Sequence, residues 1–126
     1  MSKNSKQWLV QAHYDLGTAQ YMFKGKRYFY AVFMCHLAVE KAFKGLYQNK
    51  FKKFPPKTHS LIFLMSELNL EPSERTIRFL IKIDQASVMT RYPEDLVKLQ
   101  KIYTAVKTRD FLTKAKETLQ WVEKSF

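Results

Sequence analysis

An all-α fold is predicted by three features of the sequence. Apolar residues recur at helical intervals of three and four in several segments, no stretch alternates like a half-buried strand, and only three glycines occur in 126 residues. The chain has the length of a single domain (residues 1–126), and its 46 % apolar content is enough for one core. Four or five helices can be read.

The first spans about Ser5 to Phe23, with Trp8, Ala12, Asp15/Leu16, Ala19 and Met22/Phe23 on one face and Gly25 as its break. The second, about Tyr28 to Asn49, is apolar almost all round in its first half, which marks a central helix. On it Ala31, Cys35, Ala38, Ala42 and Gly45 form a stripe of small side chains that lets another helix approach closely. Pro55 and Pro56 disfavour continuation of that helix. Thr58 or Ser60 can cap a short third helix carrying Leu61, Leu64, Met65 and Leu68. Ser73 can cap a fourth, with Ile77, Leu80, Ile81, Asp84 and Val88 on its apolar face and its end before Pro93. A looser stretch then runs to Lys107. Thr108 is the candidate cap of the last helix, which is amphipathic through Phe111, Leu112, Ala115, Leu119 and Val122.

Twenty-two basic residues against eleven acidic ones leave a formal charge of +11, which eases association with nucleic acid, a nucleotide or an acidic protein. Most lysines are scattered as on a solvated surface; only KFKKFPPK (Lys50 to Lys57) forms a real cluster. No secretory leader and no apolar run of membrane-spanning length is evident, and Cys35 has no partner cysteine. A cytoplasmic protein without membrane contact is therefore expected.

Several polar residues fall on apolar faces. Asp15 interrupts the stripe of the first helix, His36 and Glu40 lie one turn apart on the central helix beside Lys41 and Lys44, and Asp84 lies on the fourth helix seven residues before Arg91. Buried charges are costly unless paired. An internal network is expected, with Arg91 as its main cation and Asp15, Glu40 and Asp84 as candidate acids. The competing reading gives Arg91 to a phosphate, with Tyr92 stacking on a base. The HxxxE spacing of His36 and Glu40 lacks a third ligand, so neither a metal nor another cofactor is expected. Cys35, within an apolar run, reads as an inert thiol. His13 reads as a surface residue, while His59, between a basic loop and a helix start, can reach an anion.

WLVQAHYDLGTAQYMF, YFYAVFMCHLAVEKAFKGLY, PPKTHSLIFLM and TRYPED, in that order, resemble the HEPN domain family (higher eukaryotes and prokaryotes nucleotide-binding) from Trp8 to Val122. The resemblance implies an antiparallel up-and-down bundle of four main helices plus a short additional one, usually a homodimer. It also implies a minimal nucleotidyltransferase as partner subunit, the two often forming a toxin–antitoxin pair. The family's polar positions fall on Asp15, His36, Glu40, Lys41, His59, Arg91 and Tyr92. Many members are metal-independent ribonucleases that use an Arg followed, after four to six residues, by a His. No arginine here has a histidine at that distance; after Arg91 those positions hold Leu96, Val97 and Lys98.

Two readings follow. One is a non-catalytic module that binds a nucleotide or RNA and a nucleotidyltransferase partner. The other is a ribonuclease with a rearranged site built from Arg91 with His36 or His59, brought together by folding or across a dimer. The aromatic excess at Tyr28, Phe29, Tyr30, Phe33, Phe51 and Phe54 further suggests apolar surface for a homodimer to cover. Sedimentation at micromolar concentration is expected to give a dimer; a monomer throughout that range would remove this expectation.

Overall fold

The computed structural model describes residues 3–92 and 95–126. Among them there are six helices and no strand: α1 (Lys3–Lys24), α2 (Tyr28–Phe51), α3 (Leu61–Glu67), α4 (Glu74–Arg91), α5 (Leu96–Ile102) and α6 (Ala105–Glu123). Four are long, and α3 and α5 have seven residues each.

Cross-helix contacts set the directions. Asp15 meets Lys41, and Phe23 packs on Tyr28, so α2 returns antiparallel to α1. His13 pairs with Glu123 while Arg109 lies over Phe23, so α6 is also antiparallel to α1. His36 with Asp84, and Phe33 with Arg91, set α4 antiparallel to α2. The four long helices therefore run alternately up and down, with α2 packed against every other helix.

The small-residue stripe explains that central place. Ala31, Cys35, Ala38, Ala42 and Gly45 are all buried. At Gly45 an added Cβ would come within 2.7 Å of Trp8 Cβ and 3.2 Å of both the Ser5 carbonyl oxygen and Phe126. Only hydrogen fits there, and this lets α1 lie close along α2.

Helix ends follow local chemistry. Ser60, not Thr58, caps α3 by accepting from Phe63 N–H, and Ser73 caps α4 by accepting from Thr76 N–H. α1 stops at Lys24, with Lys26 in the left-handed region at φ 61° and Arg27 N–H bonded back to the Met22 carbonyl. α2 outlasts the expected Asn49 and ends at Phe51; Lys52 takes the left-handed position at φ 58°.

Three expectations need correction. Thr108 is not a cap: Thr104 caps α6 by accepting from Lys107 N–H, and Thr108 is buried inside the helix. The stretch before Lys107 contains α5, capped by Asp95 and burying only Leu99, too short to show a period. The buried face of α4 is rotated from the one expected. Ile81 and Val88 are 44 % and 62 % exposed, while Phe79, Leu80, Ile83, Ala86, Ser87 and Thr90 face inward. α4 packs on both α2 and α6, and small Ala86, Ser87 and Thr90 fit that seam better than the larger residues that dominate an apolar pattern.

α4 ends before Pro93 as expected, although Pro93 and Glu94 lie outside the described residues. Of the six aromatics expected at the surface, Phe29 is in the core and Tyr28 and Phe33 are half-buried. Tyr30, Phe51 and Phe54 remain exposed.

Gly45→Ala is expected to cost about 1–3 kcal/mol through forced displacement of α1. Thermal or urea melting would measure it, and a variant as stable as the parent would mean that α1 can shift freely on α2.

Candidate functional site

The out-of-place polar residues converge on the middle of α2. His36 is fully buried, and its Nε2–H donates to Asp84 Oδ1 at 2.9 Å. A carboxylate only accepts, so the hydrogen belongs on that nitrogen. His36 Nδ1 has no hydrogen-bond partner and lies 3.9 Å from Glu40 Oε1.

Glu40, also buried, is held from two sides. Lys44 Nζ donates to its Oε2 at 3.0 Å, and His59 Nδ1–H donates to its Oε1 at 2.9 Å. His59 itself is open to solvent, with a side chain 59 % exposed. Lys41 Nζ lies 2.8 Å from Asp15 Oδ2, an ion pair in distance but without hydrogen-bond alignment.

Asp84 does more than pair with His36. Its Oδ1 also accepts from Leu61 N–H at 3.0 Å, and its Oδ2 accepts from Ile62 N–H at 3.2 Å. One carboxylate on α4 thus satisfies the first amides of α3 and fixes the buried imidazole. The sequence pattern places Asp84 inward but does not show a partner supplied by a helix more than twenty residues away.

Arg91 is not the cation of this network. Among the described residues it pairs with none of Asp15, Glu40 and Asp84. Its guanidinium carbon lies 4.9 Å from the centroid of Phe33, a contact that the spacing of the sequence does not reveal, and its Nη2 has no hydrogen-bond partner. The network needs no arginine because Lys41, Lys44 and the two histidines already meet its acids. Seven residues separate Arg91 from Asp84, about 10 Å along α4. Among the described residues no hydrogen bond or ion pair joins Arg91 to either histidine, although Phe33 beneath it is three residues from His36 on α2, and Tyr92 beside Arg91 is 72 % exposed.

Among the described residues no group of three or more His, Cys, Asp or Glu side chains could hold a metal ion. Cys35 is buried, and burial pushes its thiol from 9.0 up to about 12, so it stays protonated and unreactive at neutral pH. No helix among the described residues is long and apolar enough to cross a membrane.

The fold and site together describe an all-helical bundle with a polar centre on one long buried helix. The chain belongs to the HEPN domain family, which matches residues 5–125. It is similar in structure to TT1696 from Thermus thermophilus, with 24 % identity and a TM-score of 0.84 over 99 % of this chain and 100 % of that one. It is likewise similar to ST0689, an archaeal HEPN homologue, with 26 % identity and a TM-score of 0.76 over 98 % of each chain. No curated protein matches the chain.

Asp84→Ala is expected to destabilise the fold by about 2–4 kcal/mol, because it leaves a buried imidazole and two helix-start amides without their acceptor. Urea denaturation would check this. A loss below about 0.5 kcal/mol would mean that water replaces the carboxylate.

Proposed function

We propose that this HEPN chain is a non-catalytic binding module that receives a nucleotide or RNA phosphate at Arg91. We further propose that it works as a homodimer beside a minimal nucleotidyltransferase, as in a toxin–antitoxin pair. The observation that carries the reading is the uncommitted charge of Arg91: the guanidinium rests over Phe33, pairs with no described acid and keeps an unpartnered Nη2. A planar guanidinium backed by an aromatic ring is suited to two-point contact with phosphate, and the exposure of the neighbouring Tyr92 suits a stacking role on a base. The nucleotidyltransferase partner rests on the family resemblance, and the charge of +11 suits an acidic partner surface.

The ribonuclease reading keeps one supporting observation. His59 is solvent-open, and Glu40 holds its Nδ1–H, which leaves Nε2 available as a general base. His36 is a poorer candidate, since it is fully buried and bonded to Asp84. Phe33 beneath Arg91 and Glu40 beside His59 are seven residues apart on α2, about 10 Å, a separation that joint action within one chain or across a dimer would have to bridge.

The test compares the parent with Arg91→Lys, Arg91→Ala and His59→Ala. Binding of ATP is measured by calorimetry, and cleavage of labelled RNA is followed without metal. The parent is expected to bind nucleotide modestly and cleave nothing. Arg91→Lys should fold normally but lose binding, because lysine lacks the two-point fork. Arg91→Ala should cost only about 1–2 kcal/mol of stability, the loss of a cation–aromatic contact rather than of a buried ion pair. Metal-independent cleavage that vanishes in His59→Ala would make the protein an enzyme. Nucleotide binding unchanged in both Arg91 variants would remove Arg91 from the site.

A further inference from the structure

A second surface with recognition chemistry lies at the other end of α2. Between α1 and the segment after α2 opens a groove of about 330 Å³ lined by Asn4, Gln7, Trp8, Gln11, Gln48 and Phe54. Four of these side chains are primary amides, two are aromatic, and none is charged. Phe33 and Gln48 are fifteen residues apart on α2, so this groove is about 22 Å along the helix axis from the ring beneath Arg91.

The groove is built rather than incidental. The Trp8 indole N–H donates to Gln48 Oε1 at 2.9 Å. Because an indole nitrogen can only donate, this bond orients the amide and leaves the Gln48 NH₂ group free to donate outward. Phe54 and Trp8 meet in a T-shaped pair, with ring centroids 6.2 Å apart at 60°, and Phe54 is 68 % exposed. Its segment is pinned on both sides. Lys52 N–H returns to the Gln48 carbonyl from a left-handed conformation, Lys50 Nζ bonds the Leu68 carbonyl, and Pro55 is buried. An aromatic ring is thus held out in solvent by a stiff support.

The charged side chains that the two contributing segments themselves carry are of one sign. Lys52, Lys53 and Lys57 flank Phe54 and are exposed, and no Asp or Glu occurs at positions 1–14 or 41–66. Exposed aromatic faces stack on bases, amides read base edges through paired donors and acceptors, and lysines meet phosphates. A lipid surface would leave the amides without a role. An acidic peptide would use the lysines but not the open ring. A duplex offers no free base face.

We propose that this groove binds unpaired bases of single-stranded nucleic acid, with Phe54 as the stacking platform, Gln48 and its neighbouring amides against the base edge, and Lys52, Lys53 and Lys57 along the backbone. This site is independent of the Arg91 reading, and either can fail without the other.

The experiment is fluorescence anisotropy with labelled oligo-U and oligo-dT strands and a duplex of the same length. The proteins are the parent, Phe54→Ala, the double variant Lys53→Ala/Lys57→Ala and Arg91→Lys, with circular dichroism and sedimentation as controls. Single strands are expected to bind in preference to duplex. Phe54→Ala, a change at an exposed ring that should leave the fold intact, is expected to weaken binding by about fivefold or more. The lysine pair should lower the slope of log affinity against log salt by about 1.4. Equal binding of duplex, no binding of either single strand, or parent-like binding by Phe54→Ala would overturn the proposal. So would loss of strand binding in Arg91→Lys alone, which would place the strand at Arg91. A change in sedimentation with Phe54→Ala would assign the groove to a second copy of the chain and overturn it as well.

Discussion

Glu40 is a carboxylate in the interior of a helix that touches every other helix, and the arrangement of the molecule depends on how that charge is satisfied. A lone carboxylate there would cost several kcal/mol. Lys44 supplies one partner from the next turn, and His59 supplies the other from the entry to α3. One turn earlier His36 makes the same demand, met by Asp84 from α4. The short helix α3 is consequently fixed twice, through His59 at Glu40 and through its first amides at Asp84. A seven-residue helix is too short to be stable by itself. Here polar contacts reaching in from α2 and α4 hold its start, while Leu61 and Leu64 bury its apolar side.

The same pairing decides what is left for function. Lys41 and Lys44 take their acids within the bundle, so the cations closest to the buried centre are already occupied. Arg91, half-buried at the end of α4, has an aromatic ring under it instead of an acid. Cations of similar charge thus divide into those paired inside the bundle and one left without an acid among the described residues, and the division is set by reach. Asp84 turns toward α3 and is unavailable to a residue two turns further along its own helix.

Much of the architecture was legible because it rests on local patterns. The small-residue stripe on α2, the break near Gly25, the proline stop after α2 and the Ser60 and Ser73 caps all express short-range sterics and hydrogen bonding. Asp15, His36, Glu40 and Asp84 were visible as polar groups on apolar faces, but their partners were not. Pairing joins residues up to 48 positions apart, and helical periodicity does not record which of two nearby cations a carboxylate faces. The buried face of α4 departs from its apolar pattern for a related reason: Ile81 and Val88 are apolar but exposed, whereas Ser87 and Thr90 are polar but buried. Their hydroxyls bond to carbonyls of their own helix, which makes them acceptable at a close seam. The Trp8, Gln48 and Phe54 groove was not legible, since its residues come from two helices and a loop with no common period.

The closeness that Gly45 permits also brings the two ends of the described chain together. The Ser5 carbonyl and the Phe126 ring both lie beside that one backbone position. The bundle is therefore almost a closed circuit, and a linker of a few residues could join its ends while a new opening was cut in a surface connection elsewhere. A protein domain attached at either end would emerge beside the Phe54 groove, leaving the Arg91 end of α4 unobstructed. The order in which the helices are strung along the chain is thus less constrained than the way they meet.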